Sequence, residues 1–112
     1  MHFLHSAINA FDIKDGTQIG SYVVHYANGQ TREIPIVVGR DLADWWNQPN
    51  EQNKKFVIAW TGTNESSRAQ GRTIRLFKST WENPMPDSEV KSIDFVWAGT
   101  EAAPFLVAIT AE

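Results

Sequence analysis

The sequence predicts an all-β fold, an antiparallel β-sandwich with one short helix. Short runs rich in β-branched and aromatic residues recur along the chain, separated by segments of Gly, Pro, Asn and Asp. An Asn-Gly dipeptide lies between two of these runs, which is a strong short-range hairpin signal. The runs do not alternate with long helical segments, so the βα rhythm of a parallel sheet is missing. A length of 112 residues fits a single domain, 1–112, with one modest core.

Met1 to Ala7 reads as a strand. It carries neither a basic stretch nor a long apolar one, so it does not read as a signal peptide. A chain that opens inside secondary structure suggests a module of something longer. The hairpin follows at Tyr22 to Ile34. With Asn28 and Gly29 as a two-residue type I′ loop, Tyr26 lies opposite Thr31, His25 opposite Arg32 and Val23 opposite Ile34. One face then carries Val23, Ile34 and Ile36, and the other Tyr22, Val24 and Tyr26. Both are partly apolar, so the second face is expected to be at least partly covered. Pro35 cannot donate to a ladder and belongs on an edge or at a bulge.

Gly39 to Asn47 reads as a helix of about two turns, N-capped by Asp41, with Asp44 in its first turn, and ended before Pro49. Asn47 to Lys55 is polar and reads as a loop. Further strands are expected at Phe56–Trp60, Thr73–Thr80, Val90–Trp97 and Phe105–Thr110. Turns are expected over Thr61–Gly71, Glu82–Asp87 and Ala98–Thr100.

The composition excludes several function classes. Lys and Arg number 10 against 13 Asp and Glu, a formal charge of -3, which gives no basic footprint for nucleic acid. No stretch approaches the ~20 apolar residues of a membrane span. The lack of Cys removes disulfides, thiolate zinc sites and thiol catalysis. His2 and His5 fall on opposite faces of a strand, and His25 beside Arg32 disfavours a cation, so no histidine metal site is expected. There is no nucleophile elbow, zinc-protease helix or phosphate loop, and the domain reads as non-catalytic.

Aromatic side chains remain, with 5 Trp and 6 Phe. Trp45 and Trp46 would diverge by about 100° on a helix, one buried and the other partly exposed. Trp60 and Trp81 occupy strand-to-loop positions, whereas Trp97 lies in an apolar strand and reads as core. Asp94 and Arg75 interrupt apolar strands; if they face inward each needs a partner, Asp94 with Arg75 or with a backbone turn, and the alternative makes them part of a polar site beneath the loops. Glu82, Asn83 and Asp87 offer oxygen ligands to a Ca²⁺ ion without the density of a dedicated calcium loop. Asn64-Glu65-Ser66 matches a glycosylation acceptor.

Several blocks are similar to a known family. Phe3-Leu4-His5, Gly20 to Gly29, Ile34-Pro35-Ile36 running to Trp45-Trp46, Ala59 to Asn64, Trp81 to Pro84 and Ile93 to Val96 together resemble bacterial accessory modules with a galactose-binding-like (jelly-roll) fold. Such modules occur in large, often exported multidomain proteins, so the resemblance implies an exported or cell-surface setting and neighbouring domains. It implies a binding or structural module more than an enzyme. One or two further strands precede the Phe-Leu-His block in that family. Without them a sandwich would expose a pairing edge, which predicts a homo-oligomer.

Two functions follow as expectations. The first is a carbohydrate-binding module in which Trp60, Asn64, Arg68, Trp81 and Asn83 gather at one end of the sandwich, aromatic faces stacking on a glycan. The second is a structural or protein-interaction module with no small ligand, using the Tyr22, Val24 and Tyr26 face or an open edge. Sugar binding places exposed aromatics at loop tips around a concavity. Assembly places them in a patch on a sheet face or edge.

Overall fold

The computed structural model describes residues 1–10, 12–46 and 55–110. Among these the elements run β1 (His2–Ile8), β2 (Gln18–Tyr26), β3 (Thr31–Val37), β4 (Val57–Gly62), α1 (Glu65–Ala69), β5 (Ile74–Thr80), β6 (Val90–Trp97) and β7 (Ala103–Thr110). They form two antiparallel sheets, β4-β5-β1-β7 and β3-β2-β6, an all-β architecture of sandwich type. The expected strands are present; most ends shift by one or two residues, while the hairpin strands extend from Gln18 to Val37, beyond the Tyr22–Ile34 signal.

The sheets meet through β1 and β2. The Phe3 ring stacks on Tyr22 with centroids 4.2 Å apart, and His5 stacks on the same tyrosine at 5.9 Å. Ile19, Ile36, Val38, Leu42 and Phe77 are buried around them. Each such apolar side chain contributes about 1.5–3 kcal/mol by leaving water.

The hairpin register differs from expectation by one residue. Tyr22 pairs with Ile34, Val24 with Arg32 and His25 with Thr31. Ala27, Asn28 and Gly29 form a three-residue loop, in which the Tyr26 amide donates to the Gln30 carbonyl at 2.9 Å and the Gly29 amide to the Tyr26 carbonyl at 3.0 Å. Gly29 has a φ of 87° whereas Asn28 does not enter the left-handed region, so a type I turn with a glycine bulge replaces the type I′ turn. Asn28 instead accepts from the Gln30 amide through its side chain.

That slip decides which face is apolar, because side chains alternate along a strand. Ile34 and Ile36 now share a face with Tyr22, Val24 and Tyr26, and Tyr22, Val24, Tyr26 and Ile36 are buried. Tyr22, Val24 and Tyr26 are therefore core, which corrects their reading as an exposed interaction face. Pro35 does lie on an edge, since β3 pairs only with β2 among the described residues.

The expected helix over 39–47 does not form within the described residues. Gly39 turns the chain with a φ of 88°. Both aspartates fix extended or turn backbone in place of a helix start: Asp41 accepts from the Val37 amide, and Asp44 from the amides of Ala10 and Trp46. The Trp45 amide then donates to Ala7 and its carbonyl accepts from Arg75, which ties β1 to β5 beyond their direct pairing. Trp45 and Trp46 are both half-buried and stack with centroids 6.4 Å apart, so neither is the fully buried member of a helical pair. The loop expected over 47–55 falls, except for Lys55, outside the described residues.

The helix sits where turns were expected, at α1. Asn64 caps it reciprocally: its side chain accepts from the Ser67 amide at 2.7 Å, while its own amide donates to the Ser67 hydroxyl at 2.9 Å. Five residues carry no apolar period, so hydrophobic periodicity does not mark this helix; its local signals are the Asn64 cap, Glu65 in the first turn and Arg68 in the last.

Candidate functional site

Antiparallel pairing of β4 with β5 runs from Val57↔Lys78 to Gly62↔Ile74. Helix α1 therefore lies at the Ile74 end of β5, and Trp81 follows Thr80 at the other end. Seven strand residues separate the two ends by about 20 Å. The five predicted ligand residues do not gather in one site; they divide into two groups.

Trp60, Asn64 and Arg68 form the first group. Trp60 is 49% exposed on β4, and its indole lies across Gly62, where an added Cβ would collide with the ring. Arg68 donates to the Thr63 hydroxyl at 3.3 Å. Asn64 is committed to its cap, which explains its position without a ligand.

Trp81 and Asn83 form the second group, lining a hollow of about 600 Å³ with Met1, Thr80, Glu82 and Pro86. Trp81 is half-buried against the core, and its amide donates to the Met1 carbonyl at 2.8 Å. The Asn83 carboxamide oxygen accepts from the Tyr26 hydroxyl and from the Met85 amide. That oxygen holds a turn against β2, so of Glu82, Asn83 and Asp87 one donor is already engaged. Among the described residues no group of three or more His, Asp and Glu side chains is placed to hold a metal ion.

Arg75 and Asp94 do not pair, because Asp94 alternates with Phe95 and so points to the outer face of its sheet, whereas Arg75 is buried. Arg75 is buried, its Nε donating to the Asp44 carbonyl at 3.0 Å and its guanidinium lying 5.0 Å from the Phe77 ring centroid. Asp94 is exposed and 2.7 Å from His25 Nε2 on the neighbouring strand, so His25 has an acidic neighbour where Arg32 was expected. His25, Lys91, Ser92 and Asp94 line a shallow polar hollow of about 400 Å³.

The largest departure concerns β6. Trp97, expected in the core, is 57% exposed, with Phe95 at 41% and Val96 at 44%. Phe95 pairs with Tyr22 and Trp97 with Gly20, so both occupy the face of β6 that looks toward the other sheet. Phe95 stacks on Tyr22 at 5.4 Å, yet the second sheet does not reach over it. The Trp97 indole donates to the Ala102 carbonyl at 3.0 Å, which fixes the ring in place. Val96 points the other way, so β6 is apolar on both faces at its end. Three consecutive apolar residues in a strand were the sequence signal, and it is ambiguous between a doubly covered strand and an open one.

The four sheet edges are not equivalent. Edge β3 carries Pro35 with Arg32 and Glu33, and β7 opens with Pro104 nearby and bulges at Val107. Edge β4 bulges at Ala59. On β6 the register is continuous from Ser92 to Trp97, after a bulge at Lys91. Prolines, bulges and charges are the usual means of blocking an edge, and this stretch holds only Asp94, whose carboxylate is drawn onto His25. No helix among the described residues is long and apolar enough to cross a membrane. Compared with known proteins, the chain matches no family model, no curated protein and no solved structure.

Proposed function

We propose that this domain is a non-catalytic protein-interaction module that accepts an extended strand along the free edge of β6. One observation carries the reading: among the described residues no strand pairs with the outer edge of β6, and Phe95, Val96 and Trp97 are exposed on it, not at loop tips around a concavity. Edge backbone supplies unpaired donors and acceptors for an added strand, and the alternate side chains supply apolar contact. A Lys-flanked peptide of residues 90–97, added to the dilute domain, tests it. Amide resonances of Ser92 to Trp97 shift in a saturable way if the edge takes a strand. No shift at millimolar peptide overturns the reading.

A second reading keeps the carbohydrate-binding role of an accessory module, at the Trp81 hollow. Its support is an indole beside an amide and a carboxylate in a cavity of about 600 Å³. Aromatic faces stack on the apolar side of sugar rings while neighbouring polar groups receive the hydroxyls. Titration of a broad glycan panel against tryptophan fluorescence tests it, and a flat response removes its support.

A further inference from the structure

We infer that the strand accepted by β6 is β6 of a second copy, paired antiparallel about a two-fold axis at Phe95. This rests on the strand-accepting reading above and names its partner. A two-fold axis perpendicular to the sheet keeps each face on its own side, so the join extends β3-β2-β6 into a continuous six-stranded sheet. Closed pairs of this kind are the commonest symmetric assembly.

Charge and coverage choose the register. An axis at Asp94 sets the two carboxylates directly opposite each other, which like-charge repulsion disfavours. An axis at Ile93 sets Phe95 against Lys91 and leaves Trp97 beyond the last paired residue. An axis at Val96 pairs only residues 95–97 within the strand limits. With the axis at Phe95, Ile93 lies opposite Trp97 and Asp94 opposite Val96, so Ile93 to Trp97 are all paired and no like charges meet. The two Phe95 rings then lie side by side at the axis, each flanked by Trp97 beside the other copy's Ile93, on the face of β6 that the other sheet leaves open.

Substitutions at Val96 read the register through charge. Val96→Glu places a glutamate opposite each Asp94 across the interface, whereas Val96→Lys places a lysine there. Sedimentation across a dilution series is expected to give twice the 12.6 kDa monomer mass for the natural chain and Val96→Lys, and the monomer mass for Val96→Glu. Because the chain has no cysteine, Phe95→Cys is a clean second probe. Opposed residues in an antiparallel pair have Cα atoms about 4.5–5.5 Å apart, within disulfide reach. Oxidation is expected to convert Phe95→Cys into a covalent dimer and to leave Val107→Cys on β7 monomeric.

A monomer mass at every concentration, with no cross-link at 95, overturns the inference. Loss of dimer in both Val96 variants overturns the register. If the 90–97 peptide shifts the β6 amides while the chain stays monomeric, the edge accepts a strand from another protein and only the second copy is excluded. If the peptide gives no shift, the strand-accepting reading itself fails.

Discussion

His5 Nδ1 lies 2.7 Å from the Tyr22 hydroxyl at the contact between the two sheets, and Ser79 Oγ stands 3.1 Å from the other ring nitrogen. Both rings are buried. Burial brings the His5 pKa down to about 4, with the Asp41 carboxylate opposing part of the shift. Burial pushes the Tyr22 hydroxyl well above its ordinary value, and Asp41 adds to that. A neutral imidazole between two hydroxyls satisfies one donor and one acceptor, so the buried chain is complete without charge.

Stability should therefore fall in mild acid. Between pH 6.5 and about 4 the unfolded chain carries the His5 proton and the folded chain does not, so lowering pH through that window favours unfolding. Above it the contribution is constant; below it the loss is complete, at most about 3 kcal/mol. Urea denaturation at pH 7, 5.5 and 4.5 measures the slope. His5→Gln is expected to flatten it, and an unchanged slope would locate the titrating group elsewhere.

Gly20 should tolerate a methyl group far less well than Gly62. A Cβ at Gly20 meets the Val96 carbonyl at 2.6 Å and the Pro104 ring at 3.2 Å, both held by strand pairing. Gly20→Ala is expected to cost about 2 kcal/mol or more and to loosen β6 from β2. At Gly62 the obstacle is the exposed Trp60 indole, which swings away. Gly62→Ala should cost less than about 1 kcal/mol and change tryptophan fluorescence. Equal losses from thermal melts of the two variants would contradict this difference.

The cap at Asn64 should matter although the helix is short. Asn64→Ala removes the acceptor for the Ser67 amide, and a loss of about 1 kcal/mol is expected. Asn64→Asp retains an acceptor and should recover most of it. Chemical denaturation of the pair distinguishes a capping role from a surface one.

Arg75 should not be replaceable by lysine. Its fork reaches the carbonyls of Asp44 and Trp46 while the planar group stacks near Phe56 and Phe77. An ammonium group lacks both geometries, and Arg75→Lys is expected to cost about 2 kcal/mol. A neutral result in urea melts would mean that burial of the aliphatic stem carries the site.

Much of the fold was legible. The strands at Val90–Trp97 and Ile74–Thr80 stand where β-branched and aromatic runs placed them, and Pro35 marked an edge. The hairpin was found but mis-registered, because Asn-Gly suits both a two-residue loop and a three-residue loop with Gly29 at the bulge. The Gly39–Asn47 region read as helical since Asp41 and Asp44 look like first-turn residues; each instead accepts from amides distant in sequence or across a turn. For the candidate sites less was readable. Trp60 lies within β4 opposite Leu76, whereas Trp81 follows the Thr80 end of β5.

The sequence by itself determined the fold class, the strand content and the position of the hairpin. These follow from local alternation and turn chemistry, which act within a few residues. Tertiary structure alone decided which face of β2 is buried, where Arg75 and Asp94 find partners, and that Trp97 lies open. Those outcomes depend on register and on how far one sheet extends over the other. A one-residue slip exchanges the faces, and an apolar strand looks the same whether or not another sheet covers it.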